Sequence, residues 1–407
     1  MDYKQAYEKL ERYEQQHVLK YYDELTAEQQ QVLLAQIEAA DFENLKYCKD
    51  NTTNLRGKIT PLAAMQLEEI EKNRKRYTET GLEAIRKGEV AAVLLAGGMG
   101  TRLGSDEPKG MYNIGITKEV FIFQRLIENM MEVVRQADAW IHLFVMTSDK
   151  NHEMTTAFFK EKGYFGYKEE YVHFFVQDMV PASDYNGKVY MEEKGKIAMS
   201  PNGNGGWFSS MYKEGLLEVV REVGIEWLNV FAVDNVLQRI ADPCFVGATI
   251  ANNCVAGAKV VKKVSPDERV GALCLEDGRP SIVEYYELTD EMKAAKDEQG
   301  RPAYDFGVIL NYLFKESMLE EIVDGQLPLH IVEKKIPCLD EEGNCVEPEA
   351  PNGYKYETLV LDMIHQVDNC LPYEVERSRE FAPIKNPTGI DSVESARELC
   401  RLNGIEL

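Results

Sequence analysis

The sequence predicts an α/β fold: a doubly wound mixed sheet with a helical N-terminal region and a short C-terminal region. Three observations predict it. Short unbroken apolar runs recur at Val90–Leu95, Ile141–Met146, Val172–Val176, Trp227–Val233 and Ala258–Val264, the pattern of strands buried on both faces. Stretches of helical length and pattern separate them, such as Val120–Arg135 and Ser209–Val223. The first run also ends in a glycine cluster, as buried parallel strands do.

Residues 1–88 read as a helical region. Thr26 and Gln29 have the spacing of a capping box, and Val32, Leu33 and Ile37 follow on one face. Thr60-Pro61 reads as a second helix start, a hydroxyl N-cap followed by proline at the first helical position, with Leu62, Met65 and Ile70 continuing at helical spacing. The alternation of strands and helices occupies residues 89–340, the predicted catalytic domain. Within it, Gly271–Glu287 reads as a hairpin turning at Asp277-Gly278, a substrate-facing insertion. From about residue 336 the chain turns proline-rich and acidic, as a loop or linker does. Thr358–His365 then reads as one more strand or helix, within a C-terminal region of residues 341–407.

Composition excludes several functions. The 407 residues carry 46 Lys plus Arg against 69 Asp plus Glu, a formal net charge of −23, which argues against duplex nucleic acid or an anionic membrane as partner. Hydrophobic residues make up 44%, enough for a packed core rather than a disordered polyanion. The longest apolar run, Val90–Ala96, is too short to span a bilayer, and the polar N-terminus lacks the apolar stretch of a secretory signal. Eight cysteines without a CxxC pair suggest free thiols in a reducing cytoplasm.

The segment Leu95-Ala-Gly-Gly-Met-Gly-Thr-Arg-Leu-Gly104 carries the most chemistry. Gly97, Gly98 and Gly100 let backbone N–H groups approach a ligand closely, which suits phosphate oxygens. It is not a Walker A loop, because the position five after Gly98 is Leu103. It misses the dinucleotide fingerprint by one residue, the third glycine being Gly104. The loop brings two cations of its own, Arg102 and Lys109. Fixed cations suit a polyphosphate whose charge must be neutralised while one phosphoryl centre reacts. A tight turn after a strand is the plain structural alternative.

The stretch LAGGMGTRLGSDEPKGMYNIG closely resembles the signature loop of the UDP-sugar pyrophosphorylase family. The resemblance, closest to the eukaryotic UDP-N-acetylhexosamine enzymes, implies a nucleotide-diphospho-sugar transferase fold of Rossmann-like type. It implies that Leu95, Ala96, Gly97, Gly98, Gly100 and Thr101 wrap the base and triphosphate of UTP, with Arg102 and Lys109 on the phosphates. Further segments agree, in order along the chain. Gln177 ends an apolar strand, where its amide can read one edge of a pyrimidine. Ser200-Pro-Asn-Gly-Asn-Gly-Gly-Trp207 resembles the PxGNGG segment that grips uracil and ribose, through Gly203 and Asn204. Asp234 stands at a strand's C-terminal end, the rim where open α/β sheets bind ligands, and there it can hold Mg²⁺ against the triphosphate; capping a following helix is its alternative. Glu284, in SIVEYY, resembles the glutamate that bonds sugar hydroxyls. Lys335 in EKKIP and Lys385 in EFAPIKN match two basic segments, and Lys385 is expected to reach the phosphates. The GAKVV-K and NGYKYE segments match as well.

Two departures bear on the sugar. Val308 stands where the N-acetylhexosamine enzymes place an asparagine beside the amide, and Leu359 and Leu361 stand where phenylalanines are expected. The chemistry implied is in-line attack by a sugar-1-phosphate oxygen on the α-phosphorus of UTP, N-acetylglucosamine-1-phosphate or its galactosamine isomer being the first expectation and glucose-1-phosphate the alternative. The attacking phosphate is ionised at neutral pH, so positioning and charge neutralisation suffice. That agrees with six scattered histidines, of which His330 reads as structural, and with no GxSxG or HExxH motif. A dinucleotide-dependent oxidoreductase and an inactive binding protein are the competing classes. The expected partners are the two substrates and the metal, in a cytoplasmic monomer or weak homodimer. A net charge of −23 is compatible with this, since Arg102, Lys109, Lys335 and Lys385 are few and local.

Overall fold

The computed structural model describes residues 1–48, 56–324 and 327–407. The chain divides into two compact units. The larger is built from Arg56–Gln177, Trp207–Gln326 and Val360–Leu407, the smaller from Met1–Leu55, Asp178–Gly206 and Leu327–Leu359. The units interleave along the chain, where composition suggests consecutive regions.

In the larger unit, ten strands form one sheet among the described residues. They are β1 (Ile59–Pro61), β2 (Val90–Leu95), β3 (His142–Thr147), β4 (Val172–Val176), β5 (Trp227–Ala232), β6 (Ala256–Lys262), β7 (Ala272–Glu276), β8 (Arg279–Val283), β9 (Phe306–Lys315) and β10 (Cys370–Glu374). The order is β1-β7-β9-β5-β2-β3-β4, with β6 joining β9 to β10 and β8 pairing β7. The pairs β2–β3, β3–β4 and β2–β5 are parallel, and β9 runs antiparallel to β5. All six residues of β2 are buried, as its continuous apolar run requires. The chain leaves β2 toward β3 and β4 on one side and returns to β5 on the other. Their connections diverge at the carboxyl ends, Leu95 opposite Met146 and Ala232, which makes this the switch point, where open α/β sheets form their ligand crevice.

Local expectations fare unevenly. The hairpin forms as read: β7 pairs antiparallel with β8, Glu276 opposite Arg279, and Asp277 and Gly278 take φ of +50° and +84°. Thr60-Pro61 does not start a helix. It lies in β1, paired with β7, on an edge where proline's missing N–H costs no ladder bond. The helix α1 (Leu67–Arg86) begins later, and the Glu374 carboxylate accepts from the Leu67 N–H at 2.9 Å. The helix α2 (Ile122–Ala137) covers the predicted Val120–Arg135 stretch. The stretch Ser209–Val223 splits into helices Trp207–Lys213 and Leu217–Val223, with Gly215 between them at φ +74°. Thr358–His365 resolves as the helix Val360–Gln366. The core gathers Val93 and Leu94 of β2, Leu126 and Met130 of α2, and Phe231 of β5.

The smaller unit packs helices Tyr3–Arg12 and Ala27–Ala39 with short antiparallel strand pairs. The capping box is present: the Gln29 N–H donates to Thr26 Oγ1 at 3.3 Å and the Thr26 N–H to Gln29 Oε1 at 2.9 Å. Leu33 and Ile37 are buried with Ala6, Leu10, Ile197 and Tyr356. Val32 does not join them; it is 50% exposed, because consecutive helical residues point about 100° apart. The acidic, proline-rich stretch holds a small hairpin, Cys338–Leu339 against Cys345–Val346.

Among the described residues no helix is long and apolar enough to cross a membrane. Cys244, Cys254, Cys274, Cys338, Cys345, Cys370 and Cys400 are free thiols.

Candidate active site

The glycine loop closes on itself at the end of β2. The Ala96 N–H donates to Met146 O (2.8 Å), extending the sheet by one residue. Beyond it, Gly100 N–H donates to Glu107 O at 2.8 Å and Lys109 N–H to Gly98 O at 3.1 Å, while Met99 and Pro108 form an antiparallel bridge. The buried Asn151 locks the base of the loop: its Nδ2 donates to Ala96 O (3.0 Å) and its Oδ1 accepts from the Ser148 N–H (2.8 Å). Leu103 is buried and pins the single 3₁₀ turn Thr101–Leu103, leaving Thr101 and Arg102 exposed. Backbone and two cations are thus held on a short, internally bonded hairpin.

Gln177 stands beside the loop, just past the end of β4. Its N–H donates to Thr147 O at 2.8 Å, at the carboxyl end of β3. A Cβ on Gly97 would stand 3.0 Å from Gln177 Oε1, so glycine is what allows the backbone this close to the amide. A Cβ on Gly98 would meet nothing within 4 Å, the side from which a ligand can reach the backbone. This brings Gly97 and Gln177 together as one edge of the crevice.

The cations gather around the end of β5. Lys109 Nζ lies 3.7 Å from Asp234 Oδ2, with the side chains 17% and 21% exposed. Burial lowers the Lys109 pKa from its ordinary value; Asp234 opposes that shift, while Lys385 and Arg102 add to it. All four groups therefore share one electrostatic neighbourhood. The Arg102 guanidinium has no ion-pair partner among the described residues, and Lys385 Nζ lies 3.5 Å from Asp391 Oδ2. Asp234 caps no helix: the next one, Pro243–Ala251, is capped by Asp242, whose Oδ1 accepts from Cys244 N–H at 3.1 Å.

Lys385 reaches this place along a strap, residues 380–385, fastened to the end of β5. Ile384 N–H donates to Asp234 O at 2.9 Å. The buried Asn235 holds the strap with both ends of its amide, donating to Glu380 O (2.7 Å) and accepting from Ala382 N–H (2.9 Å). Behind the strap lies a cavity of about 600 Å³ lined by Arg125, Arg239, Asp242 and Glu380 among others. Its acids are already engaged: Lys259 donates to Glu380 Oε2 at 2.6 Å and to Asp242 Oδ2 at 3.3 Å. The lining holds four arginines against six carboxylates, whereas at the rim Arg102, Lys109 and Lys385 outnumber the acids Asp234 and Asp391, which suits a polyphosphate better.

Glu284 and Val308 also come together. Glu284 follows directly on β8, and its Oε1 and Val308 Cγ2 would each stand 3.5 Å from a Cβ on Gly271. A carboxylate and a methyl group thus stand side by side over Gly271. Gly203, Asn204 and Lys335 belong to the smaller unit. There Gly203 takes φ +86°, and a Cβ on it would overlap Thr358 O at 2.1 Å; the Thr358 N–H donates to Asn202 O at 2.7 Å, so NGYKYE and the PNGNGG loop are stitched together. Lys335 is exposed just beyond the strand His330–Lys334.

Sequence reasoning misses Asn151, Asn235 and Asp391. Asn235 sits one residue from Asp234 and Asp391 six from Lys385, while Asn151 lies far from any motif in sequence; Asn151 and Asn235 bond backbone and Asp391 stands beside a lysine. The signal available for Asn235 is its place beside Asp234, a polar side chain immediately past a buried strand.

Comparison with known proteins places the chain in a family. The family profile described as UTP--glucose-1-phosphate uridylyltransferase matches residues 40–403. The chain is 35% identical over 416 residues to human UDP-N-acetylhexosamine pyrophosphorylase-like protein 1, covering 96% of this chain and 82% of that one. It is 35% identical over 410 residues to the UDP-N-acetylglucosamine pyrophosphorylase of Saccharomyces cerevisiae, covering 96% and 85%. The crystal structure of the Trypanosoma brucei UDP-N-acetylglucosamine pyrophosphorylase, solved with an inhibitor, superposes with a TM-score of 0.83 at 28% identity, covering 96% of this chain and 83% of that one. The profile spans most of the chain and both relatives are more than 30% identical over most of their length, so the chain belongs to the UTP--glucose-1-phosphate uridylyltransferase family.

Proposed function

We propose that this chain transfers the uridylyl group of UTP to N-acetylglucosamine-1-phosphate, or to its galactosamine isomer, releasing pyrophosphate. The observation that carries the reading is the group of Lys109, Arg102 and Lys385 around Asp234 at the mouth of the crevice. Two of the three cations stand on one hairpin, and Lys385 reaches it from a segment far away in sequence. The backbone of the glycine hairpin receives the nucleotide, and Gln177 beside Gly97 offers its amide to the base. Lys109 and Arg102 take the negative charge that builds on the pyrophosphate, and Lys385 steadies the phosphates at the reacting end. The acceptor phosphate is itself the nucleophile, so no side chain needs to remove a proton.

The donor set suits Mg²⁺. One half-buried carboxylate at the rim, with no cluster of three or more His, Cys, Asp or Glu among the described residues, matches an ion that keeps its waters and takes substrate phosphates as ligands. Asp234 would hold it, and bound there it would screen the triphosphate charge. Lys109, now beside Asp234, would then be free to turn to phosphate oxygens.

Glucose-1-phosphate is a second acceptor reading, favoured by one observation: Val308 sets a methyl group, not a polar group, beside Glu284. Free thiols and an acidic composition favour a cytoplasmic enzyme, working as a monomer or weak homodimer. The test is pyrophosphate release from UTP and Mg²⁺ with the 1-phosphates of N-acetylglucosamine, N-acetylgalactosamine and glucose. A preference for an N-acetylhexosamine supports the first reading, a preference for glucose selects the second, and no release with any of them refutes both.

A further inference from the structure

Lys385 is the one cation of the site that stands on a loop rather than on the glycine hairpin. The strap is fastened only as far as Ile384, through Asp234 and Asn235. From Lys385 onward the chain closes on itself: the N–H groups of Lys385 and Asn386 both donate to Asp391 O, at 2.7 and 3.0 Å, and Asn386 Nδ2 donates to Ile390 O at 3.1 Å. The loop ends at Asp391 with φ +52°, a left-handed conformation that Asp and Asn tolerate better than other residues with a side chain. That turn brings the Asp391 carboxylate to Lys385, with Oδ2 3.5 Å from Nζ.

The arrangement answers a physical problem. Lys385 is 42% exposed, with a long flexible stem, and Lys109 and Arg102 share its neighbourhood and repel it. Left alone, its ammonium would spread over many rotamers, away from the other cations. Lys109 has Asp234 beside it, and Lys385 has Asp391. We infer that Asp391 is a positioning residue, holding the Lys385 ammonium at the crevice without touching substrate. This rests on the uridylyltransferase reading for its effect on turnover, and on the structure alone for its effect on Lys385.

Asp391→Asn tests it, because asparagine keeps the size and the left-handed tolerance and removes only the charge. The expected result is a kcat roughly tenfold lower, with KM for UTP changed less than about threefold, because Lys385 is misplaced rather than lost. In a Lys385→Met background the same substitution should change kcat by less than roughly twofold, since there is no ammonium left to position. Asp391→Gly, which relaxes the backbone but also removes the carboxylate, should match Asp391→Asn. A second readout needs no turnover. Limiting acetylation by an N-hydroxysuccinimide ester, followed by peptide mass spectrometry, should label Lys385 faster in Asp391→Asn than in the parent, with Lys334 labelled equally in both. Parental kcat in Asp391→Asn, a full effect persisting without Lys385, or unchanged Lys385 labelling would each overturn the inference. A parent inactive with every sugar-1-phosphate would instead refute the uridylyltransferase reading, and the labelling would still decide about Asp391.

Discussion

Replacing Lys109 by methionine removes the ammonium and keeps most of the apolar stem. Its side chain is 17% exposed at the end of the glycine hairpin, with Nζ 3.7 Å from Asp234 Oδ2. Two unit charges about 4 Å apart at an effective dielectric near 20 interact by about 4 kcal/mol. Part of that is offset, since Lys109 gives up its contact with Asp234 to meet a phosphate. A net loss of about 3 kcal/mol of transition-state stabilisation, roughly a hundredfold in kcat, is the expected size, within the range seen when one oxyanion-stabilising donor is removed. The assay is steady-state pyrophosphate release with saturating UTP, Mg²⁺ and N-acetylglucosamine-1-phosphate. Thermal unfolding run in parallel should show no loss of stability, because the ammonium is held against a desolvation cost that lowers its pKa. A kcat within about threefold of the parent, in a folded variant, would refute the assignment of Lys109 to the phosphates.

Three other outcomes follow from the same geometry. Asp234→Asn should raise the Mg²⁺ concentration for half-maximal activity by roughly tenfold or more while UTP still binds in calorimetry, since it removes the carboxylate proposed to hold the ion. Asn235→Ala breaks both side-chain bonds to the strap and leaves the buried Glu380 O and Ala382 N–H short of a partner. It should cost about 2–4 kcal/mol in urea unfolding and also lower kcat, because Lys385 rides on that strap. His173 packs against Phe144 with ring centroids 5.0 Å apart, and burial, aided by His142, pushes its pKa down to about 4 from 6.5. Below pH 6.5 the unfolded chain then takes up a proton that the folded chain refuses, so stability falls as pH drops toward 4. His173→Phe should therefore lose less stability than the parent between about pH 7 and about pH 5, as read from urea midpoints; equal losses would show that His173 does not contribute.

Much of this fold is written locally. Val90–Leu95 and Val172–Val176 stand in the structure with the limits read from the sequence, because strands buried on both faces are continuous apolar runs. Asp277-Gly278 specifies its hairpin by the left-handed backbone both residues accept. Thr60-Pro61 misleads because the same pair suits a helix start and an edge strand, and pairing with β7 decides between them. Gly215 breaks a helix that periodicity alone continues. At the candidate site, Gly97, Arg102, Lys109 and Asp234 were legible as candidates, since their types and places carry chemistry, and the structure brings Arg102, Lys109 and Asp234 together. Asn151, Asn235 and Asp391 were not legible. Their work is to close backbone or orient a lysine; Asn151 and Asn235 serve partners distant in sequence, Ala96 and Glu380, and Asp391 meets Lys385 only through the turn between them.

The most direct test of the central claim follows the α-phosphorus. With UTP labelled at that atom, unlabelled N-acetylglucosamine-1-phosphate and Mg²⁺, the label should pass into the nucleotide sugar in the parent chain, with unlabelled pyrophosphate released in equal amount. Lys109→Met should slow that transfer by roughly a hundredfold. Label that stays in UTP with every sugar-1-phosphate, or that leaves as labelled UMP without a nucleotide sugar, would contradict uridylyl transfer at this crevice.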